Sequence, residues 1–196
     1  MDDPVGDVIG DYRGFAERQN QRLLARGIDI GPYPLSHLAV RVGQWDQYVH
    51  QRTLLERHAT ANHESLWNGR PISKIVLDTP LEVLGGKLVS LIELIPPVHQ
   101  RVYRMGLEHL GVVVGEDVDA FARDHRAALT GQQFQSADVD PYYVLFEDFS
   151  HVKFYRWSLQ DAILREGGGT FVGFVHVADW VPQRFVTATG PNPLPR

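Results

Sequence analysis

The stretch "RMGLEHLGVVVGEDVDAFARDHRAAL", residues 104–129, decides the fold. Its first half, "LEHLGVVV", has the length and apolar character of a buried strand, yet it opens on a charged pair, Glu108 and His109. The next segment, "EDVDAFARDHRAALTG" (116–131), starts with acids and closes on Gly131, as a helix does. The same order occurs earlier in the chain. "PLSHLAVRV" (34–42) puts His37 at the mouth of an alternating run, and "GQWDQYVHQRTLLERHA" (43–59) comes next as a helix with Trp45, Tyr48, Val49 and Leu55 on its buried side. Two more strands complete each copy: "RPISKIVLD" and "LVSLIELI" in the first, "DPYYVLFED" and "HVKFYRWS" in the second. Identity between the halves is slight. What repeats is the grammar of strand, helix and hairpin, and it makes the fold class α+β.

The flanks are simpler. Residues 5–26 read as one amphipathic helix, with Val8, Ile9, Tyr12, Phe15, Leu23 and Leu24 near helical spacing, Gly10 and Gly14 weakening its middle and Gly27 stopping it. "GIDIGPYP" is a turn-rich linker in which Pro32 and Pro34 prevent further helix. Asn68-Gly69 signals a turn, and "TPLEVLGGK" holds a candidate extra strand and a Gly85-Gly86 turn. After the second copy come a short helix, "LQDAILREG", a strand-like "TFVGFVHVADW", and a loose "TGPNPLPR". The expected organisation is an N-terminal helix and linker (1–33), one domain of two modules over 34–165 (34–98 and 104–165), and a C-terminal extension (166–196).

Composition excludes several function classes. With 43% hydrophobic and 22% charged residues in 196, the chain is an ordinary globular one with a sizeable core. A net charge of -5 gives it no pull toward nucleic acid or an anionic membrane surface, so neither is an expected partner. There are no cysteines, hence no disulfide, thiolate nucleophile or cysteine-ligated metal. No apolar stretch approaches the ~20 residues of a membrane span, and the acidic start lacks a signal pattern. A cytoplasmic protein is the expectation. P-loop, GxGxxG and GxSxG motifs are absent, and "EGGGTF" reads as a connector.

The chemistry lies in polar groups that alternation places inside apolar strands. His37 shares a face with Ala39 and Arg41, Glu93 with Leu91 and Ile95, His109 with Gly111 and Val113. Lys153, Tyr155 and Trp157 align in the last strand, with His151 at its entrance, while Glu108 is turned to the opposite face from His109. A carboxylate in a run as apolar as "LIELIPP" is costly to bury unless it is paired or ligates a metal. Glu93 has Arg41, Arg70 or Lys74 as alternative partners. Two imidazoles and a carboxylate on separate strands, however, are what a divalent ion takes while keeping positions open for substrate. His58 and His63 read as solvent-facing residues at a helix end, and His99, His125 and His176 belong to no readable constellation.

At this point the residues resemble a known pattern, the vicinal oxygen chelate superfamily, and within it the YecM-like family. The segments that carry it are "SHLAVRV", "NGRPISKIVLD", "LVSLIELIPP", "GLEHLGVVV" and "HVKFYRWSLQDAI". The resemblance implies two paired βαβββ modules forming a cup-shaped mixed sheet around a site. It implies His37, Glu93 and His109 as ligands of a divalent ion (Zn, Ni, Mn or Fe), with the fourth position falling near Tyr155. Arg41, Arg70, Lys74 and Trp157 are then candidates to hold a small anionic ligand, and Lys153 or Tyr155 to move a proton. The activities implied are those of a metal-dependent isomerase, epimerase, lyase or dioxygenase, with non-catalytic binding or sequestering of a small molecule as the alternative. The partners implied are a small-molecule ligand and a second copy in a homodimer.

Overall fold

Asp3 and Asp11 each cap a helix, and this divides the N-terminal segment into α1 (Pro4–Ile9) and α2 (Tyr12–Leu24). Gly10 lies between them with φ of 91°, a left-handed conformation that ends the first helix, so the single helix expected over 5–26 is two. Val5, Ile9, Tyr12, Phe15 and Leu23 turn inward from both. The structure, a computed structural model, describes residues 3–67, 69–97, 103–167, 169, 171–178 and 180. The expected loose end "TGPNPLPR", Asn68 of the Asn68-Gly69 turn, and His99 lie outside these.

The first copy of the repeat folds as β1 (Leu35–Arg41), α3 (Trp45–Glu56), β2 (Ala59–Trp67), β3 (Arg70–Glu82) and β4 (Leu88–Ile95). The second folds as β5 (Gly106–Val113), α4 (Val118–Asp124), β6 (Gly131–Gln132), β7 (Tyr142–Leu145) and β8 (His151–Tyr155). Beyond the repeat lie α5 (Leu159–Arg165) and β9 (Gly173–Val175). One mixed sheet runs β6-β7-β8-β5-β1-β4-β3-β2-β9 among the described residues. In each module the last strand returns parallel to the first, β4 beside β1 and β8 beside β5, while β1 and β5 pair antiparallel at the centre. Two βαβββ modules thus join edge to edge into a cup-shaped sheet.

Alternation assigns the two faces. Leu38, Val40, Ile75, Ile92, Leu94, Leu110, Val112, Val152 and Phe154 form the main core with α1, α2 and α3. Their neighbours His37, Ala39, Arg41, Glu93, His109 and Lys153 face the other way, into the cup. Helix α5 covers part of that concave face, with Leu159 and Ile163 against Leu91, Val76 and Phe171, and leaves the rest as a cavity.

Two expectations change here. "ATANHESLW" is the strand β2, and β3 continues through "TPLE" rather than giving way to a separate strand. Polar residues hide β2 in the sequence because they are buried as a network. The Glu64 carboxylate accepts from Tyr48 (2.7 Å), Ser73 (3.0 Å), Arg52 (2.6 Å) and the Val177 N–H (2.9 Å). His63 accordingly is buried on a strand, not solvent-facing at a helix end. No helix among the described residues is long and apolar enough to cross a membrane.

Candidate metal centre

The central strand pair β1–β5 carries two irregularities, and both serve the site. Register shifts between Leu35 and His37, where Ser36 is the extra residue, and again between Ala39 and Val40, where Glu108 is. A bulge turns two successive side chains to one face. Glu108 therefore accompanies His109 into the cup, against the simple alternation that would turn it away. Ser36 lies beside His37 in the same way, its Oγ 2.8 Å from the His37 Nδ1.

His37, Glu93 and His109 converge from β1, β4 and β5. The Nε2 atoms of the two histidines are 3.2 Å apart, and the Glu93 Oε2 is 3.3 Å from His109 Nε2 and 3.8 Å from His37 Nε2. Ligand atoms ~2.0–2.2 Å from a shared ion, at angles of roughly 90–120°, stand ~2.8–3.8 Å from one another, so this triangle fits a divalent cation. Both imidazoles are fully buried, and Glu93 is the member that lines the cavity. The other ring nitrogens are held from behind. His109 Nδ1 is 3.3 Å from the Glu108 Oε1, and a carboxylate can only accept, so that nitrogen donates, and Nε2 is the one turned toward Glu93 and His37. Glu108 is held in turn by Arg41, whose Nε and Nη2 donate to its two oxygens. The Ser36 hydroxyl, beside His37, also accepts from the Leu159 N–H at 2.8 Å and ties the site to the start of α5.

Electrostatics favours the charge states a cation needs. Burial, opposed only in part by Glu93, pushes the His37 imidazole down to about 3, so it is neutral. Burial alone would raise the Glu93 carboxyl, but hydrogen bonding and charge from His109, with His37 and Lys153, hold it below the ordinary carboxylate range. Glu108 is likewise raised by burial and lowered more by His109 and Arg41, to about 2. His151 is pushed well below its usual value by burial and then by His109 and Lys153.

Strand register relocates the fourth corner. In the parallel pair β1–β4, Ala39 stands opposite Glu93, two residues after His37. In β5–β8, Gly111 stands opposite Lys153, two residues after His109. Lys153, not Tyr155, is the counterpart of Glu93. Tyr155 sits behind His37, ring centroids 5.4 Å apart, packed with Val139, Ala162 and Trp157, and neither Tyr155 nor Trp157 lines the cavity. Burial raises the Tyr155 phenol well above its usual value.

The remaining candidates separate. The cavity, about 520 Å³, is lined by Arg41, Arg70, Glu93, Glu108, His151 and Lys153, with Trp67, Tyr103, Tyr143 and Phe149 as aromatic wall. Lys74 stands opposite Glu93 on β3 but donates to Ser65 Oγ (2.7 Å) and the Ile72 carbonyl (3.2 Å), outside that wall. The sequence alone places His151 at the entrance of its strand. It pairs with His109 across β5–β8, their rings stacked at 4.7 Å, and with Glu108 and His109 forms a second group close enough to hold a cation. The bulge was the missing signal for Glu108, and the β5–β8 pairing the one for His151.

The family model for the YecM protein matches residues 5–166. Protein YecM of Escherichia coli (strain K12) is 23% identical over 179 residues, covering 84% of this chain and 95% of that one. A solved structure described as structural genomics protein EC4020 is similar over 84% of this chain and 93% of its own, at 25% identity and a TM-score of 0.67. The fosfomycin resistance protein FosX of Listeria monocytogenes, solved with Mn(II) and sulfate, covers 67% of this chain and 96% of its own, at 14% identity and a TM-score of 0.27. The ion belongs to the description of that protein.

Proposed function

The chain belongs to the YecM protein family, and from the geometry of its cup we propose a divalent-metal-binding protein that acts on a small, oxygen-rich anionic molecule. One observation carries the reading. Three groups of the correct chemistry, His37, Glu93 and His109, meet within 3.2–3.8 Å, and the outer nitrogen of each imidazole has a buried partner. Such outer partners are the usual companions of a ligating histidine. Zn, Ni, Mn and Fe are all compatible with an N₂O donor set.

A bound ion would supply Lewis acidity toward a carbonyl, enediolate or hydroxyl of the substrate. The chain's own part is positioning. Glu108 and Arg41 fix the His109 ring, Ser36 fixes His37, and the fully buried histidines keep bulk water from two sides of the triangle. Lys153 lines the cavity beside them, and burial lowers its ammonium from the usual value, which suits a group that hands a proton to a substrate oxygen. Isomerisation, epimerisation, lyase chemistry and dioxygenation all begin from this arrangement. An amine at the fourth corner, in place of a fourth ligand, favours as the second reading a binder that holds its molecule without turning it over.

The test is metal content. Protein purified without a histidine tag is expected to hold close to one equivalent of a first-row divalent metal by mass spectrometry, or to take it up from Mn, Fe, Ni or Zn solutions. The His109→Ala variant is expected to hold less than a tenth of that. A wild-type chain that takes up none of the four would overturn the reading.

A further inference from the structure

The register of the two modules puts an ammonium where the repeat calls for an acid. Lys153 on β8 is to β5 what Glu93 on β4 is to β1. Its side chain lines the cavity, only 7% of the residue is exposed, and among the described residues it makes no ion pair or hydrogen bond. Glu93 and Glu108 act on it by charge alone, from beyond ion-pair distance. Both carboxylates are already engaged, Glu108 by Arg41 and Glu93 by the histidines. A buried cation without a close partner is costly, and the deficit lies inside the pocket.

A second cation shares the predicament. Arg70 on β3 lines the same cavity, lies over the Trp67 ring at 5.3 Å, and has no ion pair among the described residues. Its Nε is buried without a hydrogen-bond partner among the described residues. The charged walls total Arg41, Arg70 and Lys153 against Glu93 and Glu108, a surplus of positive charge before any metal ion is counted. From the other end of the sheet, Gln133 and Gln135 also reach the cavity, and neither side-chain amide is hydrogen-bonded among the described residues. Amides of this kind pair with hydroxyl groups, as donor and acceptor at once.

We propose that Lys153 and Arg70 form an anion seat beside the metal position, and that the ligand is a small polyhydroxylated acid whose carboxylate or phosphate rests on that seat while its hydroxyls meet Gln133 and Gln135. This rests on the reading of the cup as a ligand site, but the seat is a property of the side chains and does not require the metal. In the first module the chain supplies the acid, Glu93, and in the second the ligand supplies it.

Calorimetric titration of the full chain tests this, with D-gluconate, glycerol 3-phosphate and the neutral sorbitol as probes, in chelator and again with Mn(II). Wild type is expected to bind at least one of the two acids, and which one identifies the head group, while sorbitol gives no heat. Lys153→Met is expected to weaken that binding at least tenfold in both conditions. Arg70→Gln, at a half-buried position, should weaken it several-fold. Sorbitol binding as tightly as gluconate, neither acid binding, or both variants retaining wild-type affinity would each overturn the seat. Mn(II) making no difference while the Lys153 dependence persists would sink the metal reading and leave the seat standing.

Discussion

At the scale of the residue, the account turns on Glu108. Ordinary strand alternation directs it away from His109, and the bulge that reverses this depends on register between two strands distant in sequence, which no local pattern encodes. His37, Glu93 and His109 were legible because an isolated polar group in an apolar run is conspicuous. Lys153 was visible as a residue but its role was not, since its equivalence to Glu93 appears only once β8 is paired. Glu108→Gln keeps shape and a hydrogen-bond acceptor but gives up the charge that fixes His109. It should lower divalent-ion affinity by 10–100-fold, read by competition with a chelating dye. An unchanged affinity would remove Glu108 from the site. His37 carries a pH dependence whose sign is fixed. Its folded value of about 3 lies below the ~6.5 of an unfolded histidine, so the unfolded chain binds the extra proton. The stability this contributes is complete above pH ~6.5 and is lost as pH falls toward 3, at about 1 kcal/mol per pH unit. In chelator, the urea midpoint should be lower at pH 5.5 than at 7.5, and His37→Gln should flatten part of that slope. Equal wild-type midpoints would contradict it.

At the scale of the element, the two central strands are built for close approach. Gly111 on β5 faces His37 on β1, and a Cβ there would come within 2.6 Å of the His37 Cε1 and Nδ1. The ring cannot swing aside, being fully buried and held by Ser36. Gly111→Ala is therefore expected to cost about 1–3 kcal/mol in urea unfolding and to weaken ion binding together with it. Loss of neither would mean that His37 is not held as described. Strands and helices of the repeat were legible wherever burial is one-sided. β2 was not, because Asn62 and Glu64 are buried in a hydrogen-bonded set through Ser73 while His63 is buried on the other face against Phe171, and burial of polar residues leaves no hydrophobic period. The N-terminal helix was legible in its spacing but not in its interruption. There the Asp11 carboxylate accepts from the Gly14 N–H and starts a second helix immediately after Gly10 ends the first.

At the scale of the molecule, the repeat of strand, helix and hairpin was legible in the sequence and the paired βαβββ modules followed from the family resemblance, whereas the packing of the later segments around the cup was not legible. α5 comes from the end of the second module and packs inside the concave face, while β9, from the stretch that reads as an extension, covers the edge of β2. Truncation after Gly167 would uncover that edge and remove the Val177 N–H from Glu64. Such a chain is expected to self-associate in light scattering at concentrations where the full chain does not, and an unchanged mass would show the edge protected by other means. The most direct measurement of the central claim is anomalous diffraction from a crystal soaked in Mn(II). A single peak is predicted, ~2.0–2.2 Å from His37 Nε2, His109 Nε2 and a Glu93 oxygen. A peak between Glu108 and His151 instead, or none above background at full soak, would contradict it.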